Sequence, residues 1–137
     1  MTPQQVADVQ TSFAKVAPIA EQVAALFYGR LFETAPETRA LFFGDMEAQG
    51  RKLMTAITMV VDSLGEIETV IPAVQDLARR HVAYGATPEH YAMVGTALLW
   101  TLEQSLGNDF NPAVSAAWAA AYGALSGLMI AAAYPEN

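Results

Sequence analysis

The chain has 137 residues, 53% of them hydrophobic and 15% charged, enough for one domain around one core and too few for two. A net charge of −7 and a sequence pI near 4.6 argue against nucleic acid and against an anionic membrane, because no surplus of cations exists to displace phosphate counterions. With no cysteine, disulfides, thiolate ligands and thiol nucleophiles are excluded together.

The polar N-terminus MTPQQVADVQ reads as a helix start rather than a signal peptide, which leaves the cytoplasm as the expected location. Thr2-Pro3 with Gln5 forms a capping-box pattern and opens a helix predicted over 3–19. A second helix, 19–34, carries the stripe Ala24, Tyr28, Leu31, Phe32. Pro36 ends it and opens a short segment, 36–42, closed by Phe42. The next helix, 47–64, has one polar member, Gln49, on an apolar face shared with Leu53, Ala56, Ile57, Val60 and Leu64. Gly65 and Gly85 are expected just past helix ends. Between them, 72–84 places Val74, Leu77, Ala78 and His81 on one face. Thr87-Pro88 and Asn111-Pro112 start the helices 88–106 and 112–133. The last of these carries no charge and spaces Gly123 and Gly127 like a membrane helix pair. Its lack of flanking cations and its seam Trp118, Tyr122, Leu125, Met129 favour a buried terminal helix instead. No strand or repeat interrupts the series. The expected fold is all-α, one domain over 1–137. Uneven helix lengths and irregular joints favour a globin-like arrangement of about seven helices over an up-down bundle.

Most chemical patterns are absent. Ser12-Phe-Ala-Lys15 stands alone without companion motifs, and Gly123-Ala-Leu-Ser126-Gly127 sets its serine one place off a nucleophile elbow. No spacing of His and carboxylates suits zinc or a di-iron centre, and the chain has only two histidines. A macrocycle that brings four nitrogens of its own needs only one protein ligand. His81 sits on an apolar face directly after Arg79 and Arg80, and no Lys or Arg follows it. A lone imidazole in apolar surroundings with cations at the rim suits haem; the alternative is a core histidine bonded to a backbone carbonyl. Tyr28, Phe42 and Gln49 are candidates to face it, although each also fits an ordinary structural place.

The stretches FYGRLFETAPETRALF (27–42), QGRKLM (49–54), LARRHVAYG (77–85), EHYAMVG (89–95) and AAWAAAYG (116–123) resemble those of bacterial single-domain globins, close to the globin halves of flavohaemoglobins. That resemblance covers essentially the whole chain. It implies haem b (iron protoporphyrin IX) with His81 as the proximal iron ligand and Phe42 wedged against the haem face. Tyr28 and Gln49 would be the distal polar pair, Leu53 the distal apolar wall, and Val94 a further haem contact. Tyr91 would orient His81, whose Nδ1–H could also bond the Leu77 carbonyl and leave Nε2 for iron. Four of the seven basic residues, Arg51, Lys52, Arg79 and Arg80, occur in the two helices either side of the haem, and Arg80 or else Lys52 would pair with a propionate. One departure stands out. Counting from Trp118 and Tyr122, the family's glutamate near the proximal histidine is here Ala133, which puts peroxidase-like chemistry in doubt.

The resemblance implies reversible binding of O₂ or another diatomic gas, such as NO or CO, at a five-coordinate iron, without catalysis. The alternatives are a nitric oxide dioxygenase dependent on a separate reductase, and a haem-free globin-like module that senses stress or binds a protein partner.

Overall fold

Prolines near helix starts explain much of the architecture. In this computed structural model, which describes residues 1–42, 44–83 (Ala83 without its side chain) and 87–133, Thr2 Oγ1 accepts the Gln5 N–H at 3.1 Å. The Gln5 side chain takes the Thr2 N–H in return at 3.0 Å. Helix α1 (Pro3–Val16) follows, and a 3-10 turn, Ala17–Ile19, bends the chain into α2 (Ala20–Thr34). The segment after Pro36 is also a 3-10 turn, Pro36–Leu41, rather than an α-helix. Helix α3 (Met46–Asp62) begins one residue earlier than its hydrophobic stripe suggests, because Asp45 caps it by accepting the Glu47 N–H at 2.9 Å. Helices α4 (Ile71–Ala83), α5 (Pro88–Leu106) and α6 (Pro112–Ala133) complete the set. Asn111 Oδ1 starts α6 by accepting the Val114 N–H at 2.9 Å. The described residues contain six α-helices joined by four 3-10 segments and no strand.

Gly65 does not act as the expected stop. Helix α3 ends at Asp62, and the chain continues through Gly65 in the 3-10 segment Leu64–Val70, where Glu66 leaves helical geometry (φ −140°, ψ 49°). Gly65 has no positive φ; the left-handed glycine that closes a long helix is Gly107 (φ 57°), after α5. The expectation for Gly85 lies outside the described residues.

Helix α1 packs on α6, α2 crosses α5 and α3, and α4 packs on α6. The α1–α6 contact is pinned by Trp118, whose Nε1–H donates to the buried Ser12 Oγ at 2.8 Å. Ser12 donates in turn to the Asp8 carbonyl at 2.7 Å, and Lys15 pairs with Asp109 at 3.2 Å on the surface. The isolated Ser-x-x-Lys pattern is therefore structural. Helix α6 is long and apolar enough to cross a membrane, yet Val114, Ala117, Trp118, Ala121 and Met129 are buried against the neighbouring helices. Trp118 and Met129 of the expected seam are buried, and Tyr122 and Leu125 half-buried.

Helices α5 and α6 approach so closely at Gly95 that a Cβ there would stand 2.7 Å from Tyr122 Cε2. Gly95→Ala is expected to destabilise the fold by about 1–3 kcal/mol, the usual cost of forcing extra volume into a packed interior. Urea unfolding checks this; an unchanged midpoint would mean that the two helices part without cost.

Candidate functional site

The buried side chains form two clusters. The larger joins α1, α2, α3, α5 and α6 and includes Tyr28, with Phe42, Leu53 and Val94 half-buried against it. The smaller is built from Val74 and Ala78 of α4, Tyr91 of α5 and Met129 of α6, with Leu77 and Ala133 packed on it. Helix α3 packs on α2 and α1, α4 packs on α6, and both touch the Leu64–Val70 segment, but little direct packing joins α3 to α4.

On the α4 side, Val74 and Ala78 are fully buried and His81, one turn on, is half-buried. His81 Nδ1 lies 2.8 Å from the Leu77 carbonyl oxygen. A carbonyl can only accept, so the proton is on Nδ1, and in the neutral ring Nε2 keeps the lone pair that a metal requires. The Tyr91 ring stacks on the imidazole at 6.3 Å between centroids, with planes 29° apart. Behind it, the Tyr122 hydroxyl donates to the Tyr91 carbonyl at 2.6 Å. His90 belongs elsewhere: its Nδ1 accepts the Thr87 N–H at 3.0 Å and caps α5.

On the α2–α3 side, Tyr28 is 7% exposed and its ring is fixed by three aromatic neighbours. Phe27 and Phe42 meet it edge-on at 5.0 and 5.2 Å, and Phe32 stacks on it at 5.9 Å. Gln49 Nε2 donates to Tyr28 Oη at 3.2 Å. The phenol oxygen is thus the acceptor of this bond, and its own proton remains to be given to something else. Burial pushes the Tyr28 pKa above its ordinary value, with the Gln49 bond offsetting part of the rise, so Tyr28 stays a donor at neutral pH. Gln49 thereby serves as a brace for Tyr28, a linkage that the apolar stripe around Gln49 did not reveal.

The four cations on α3 and α4 are exposed. Arg80 Nε is 3.4 Å from Asp76 on its own helix, both side chains largely exposed, and Arg51, Lys52 and Arg79 are exposed too. Lys52 has no ion pair among the described residues. Two contributors escaped sequence reasoning. Phe32 was visible only as a member of the Tyr28 stripe, and Tyr122 only as a member of the α6 seam.

Burial also pushes the Tyr122 hydroxyl far above the usual phenol range, and the neighbouring Tyr91 phenol adds to the rise. An unfolded chain releases its phenol protons near pH 10, whereas the folded chain holds those of Tyr28 and Tyr122 longer. Above about pH 10 the unfolded state therefore binds fewer protons, and stability falls as pH rises further. Melting curves from pH 8 to 11.5 should show that fall, and Tyr122→Phe should flatten it; an identical alkaline slope in the variant would contradict the assignment.

The fit to haem rests on this geometry. A flat apolar ring needs apolar surface on both faces, one imidazole nitrogen with its lone pair exposed by the tautomer, and a dry polar group opposite. The half-buried Leu77, Phe42, Leu53 and Val94 would supply the first, His81 the second, and Tyr28 with Gln49 the third.

Comparison with known proteins points the same way. The family described as Globin matches residues 25–129. The chain is 36% identical over 116 residues to a flavohemoprotein of Pseudomonas putida, covering 82% of this chain and 30% of that protein. A flavohemoprotein of Deinococcus radiodurans is 32% identical over 133 residues, 95% of this chain and 33% of that protein. One from Bacillus subtilis is 29% identical over 113 residues, 80% of this chain and 28% of its own length. The chain spans about a third of the length of these curated relatives. Both findings support a haem globin.

Proposed function

This chain belongs to the globin family, and on that footing we propose that it binds haem through His81 and uses the pocket to hold O₂ or another diatomic gas reversibly. With no cysteine to form thioether links, the group is held without covalent attachment, as in haem b. When bound, haem supplies an iron centre at which a diatomic gas can coordinate. The protein supplies the rest. Leu77 fixes the His81 tautomer and Tyr91 holds its ring plane, so Nε2 is presented in one direction. Tyr28 offers a phenol proton to a polarised ligand, Gln49 keeps that phenol in place, and Phe42 and Leu53 exclude water. Val94 adds apolar contact from α5. Lys52 is available to a propionate, whereas Arg80 would have to share itself with Asp76. Such exposed pairs contribute only about 0–1 kcal/mol.

The observation that carries this reading is the pairing of a carbonyl-anchored imidazole on the smaller cluster with a braced, buried phenol on the larger one. Absorption spectra of the purified protein in ferric, ferrous and CO-bound forms test it. A five-coordinate ferrous spectrum that converts fully with CO is expected. A colourless protein that takes up no added haem would overturn the reading in favour of a haem-free partner-binding or sensor module.

A second reading follows from the likeness to proteins named flavohemoproteins: nitric oxide dioxygenation with electrons from a reductase. Steady NO consumption at a rate set by added reductase would favour it over simple binding. Ala133 bears on a third chemistry. It packs on the cluster that contains Tyr91, where its methyl group cannot act as an anionic partner for His81. Peroxidase activity is therefore expected to be weak, and Ala133→Glu should raise hydrogen peroxide turnover severalfold with a reducing dye. The same change partly buries a carboxylate, so a lower melting temperature should accompany the gain. Equal turnover in a folded variant would show that this position is silent.

A further inference from the structure

Helices α2 and α3 approach each other at Ala24 and Gly50, where there is room for one methyl group and not for two. Both residues are buried, and a Cβ added at Gly50 would stand 3.0 Å from the Ala24 Cβ. Saturated carbons rest about 3.5–4.0 Å apart, so the shortfall is about 0.5–1 Å. A Cβ is fixed rigidly to its backbone, and only a shift of the helices could restore the distance. Gly29, also on α2, would place its Cβ against nothing within 4 Å, so the tight approach is particular to Gly50. The Gln49–Tyr28 bond straddles this same crossing. Gln49 directly precedes Gly50 on α3, and Tyr28 lies one turn beyond Ala24 on α2. At 3.2 Å their bond is at the long end of the N–H···O range. The Tyr28 ring is not free to follow α3, because Phe27 and Phe32 of its own helix and Phe42 beyond it hold its faces and edges.

We infer that Gly50 is a positioning residue for Tyr28 and Gln49: the one-methyl space against Ala24 brings α3 near enough for the amide to reach the phenol, and so sets how strongly the pocket favours O₂ over CO. Parting the helices by about 0.5 Å would stretch that bond from 3.2 Å to about 3.7 Å, too long to count as one. A phenol without its brace keeps its proton but loses a fixed direction for it. A polarised gas such as O₂ then loses more than CO, which draws less on the donor. Glycine is a poor residue for a helix interior, and the close crossing is what its missing side chain provides here. The inference rests on the reading of Tyr28 as donor to a bound gas for its functional consequence, and on the geometry alone for the bond.

The test adds the second methyl and then moves the first. Gly50→Ala crowds the crossing, whereas Ala24→Gly with Gly50→Ala carries the single methyl from α2 to α3; Gly29→Ala is the control. Two readouts are taken: O₂ and CO dissociation rates, and the alkaline titration of the Tyr28 ¹³Cζ NMR resonance, identified by its loss in Tyr28→Phe. The titration is recorded on the CO-bound protein, or on the protein as purified if it takes up no haem. Gly50→Ala should speed O₂ release about 2- to 12-fold, the scale of one hydrogen bond, and leave CO release nearly unchanged. It should also move the Tyr28 titration to higher pH, because the Gln49 bond is what lowers it. The paired variant should return both readouts to wild type. In a Gln49→Leu background, Gly50→Ala should add nothing, since the bond it disturbs is already gone. The positioning role is overturned by an unmoved rate and titration in Gly50→Ala, by an equal change in Gly29→Ala, or by a full effect that persists without Gln49. If Gly50→Ala does not fold, the paired variant decides: wild-type readouts support the one-methyl space and altered ones overturn it. A wild-type protein that takes up no haem defeats the haem reading instead, and the Tyr28 titration still shows whether Gly50 sets the bond.

Discussion

Substituting His81 with alanine should leave a folded protein that no longer retains haem. The imidazole stands against Tyr91 of the smaller cluster, and its Nδ1 is committed to the Leu77 carbonyl, so Nε2 is the nitrogen that would coordinate. Loss of a residue that merely supports a metal ligand costs roughly 10- to 100-fold in affinity, so loss of the ligand itself should exceed about 100-fold. The other histidine cannot substitute. His90 sits in the first turn of α5 with its Nδ1 receiving the Thr87 N–H, and His90→Ala should weaken that helix start while leaving the haem spectrum as in the wild type. Haem transfer to a trap protein gives the rates. Retention of full haem with an unchanged ferrous spectrum in His81→Ala would show that iron is held elsewhere.

The second large effect is expected at Tyr28. A ligand with partial negative charge on its outer atom gains from a phenol proton, and the pocket around Tyr28 is dry enough for that bond to weigh more than it does in water. A bond worth about 1–3 kcal/mol corresponds to a rise of roughly 5- to 150-fold in the O₂ dissociation rate when Tyr28→Phe removes the donor and keeps the ring. CO is less polarised and should leave at nearly its original rate. The Gln49 brace refines the expectation. Gln49 donates to the Tyr28 oxygen, so Gln49→Leu should act in the same direction but more weakly, by loosening Tyr28. The effects should not add: in a Tyr28→Phe background, Gln49→Leu has little left to disturb, and the double variant should resemble the single one. Stopped-flow rates for both gases settle this. An unchanged O₂ rate, or an equal change for CO, would remove Tyr28 from ligand stabilisation; full additivity would restore Gln49 as an independent donor.

What the chain wrote locally, the sequence disclosed. The pairs Thr2-Pro3 and Asn111-Pro112 start helices because a cap and a fixed φ act within a few residues and need no partner elsewhere. The face Val74, Leu77, Ala78, His81 follows from helical spacing alone, and so does the bond from His81 to Leu77 one turn back. The motif resemblance then gave these positions their expected roles, and family membership is borne out over residues 25–129. Gly65 was misjudged because glycine permits a left-handed stop without requiring one, and here the chain runs on through it as a 3-10 segment; a positive-φ glycine does close α5, at Gly107. Tertiary structure alone decided the linkages. Gln49 and Tyr28 stand on different helices, and whether the amide meets a ligand or the phenol depends on how closely α2 and α3 cross, at Gly50 against Ala24. Likewise Tyr122 could reach Tyr91 only once α6 lay in the gap at Gly95, a contact between residues 31 apart in sequence. Such contacts depend on the relative placement of whole helices, which summed packing sets and no local pattern encodes.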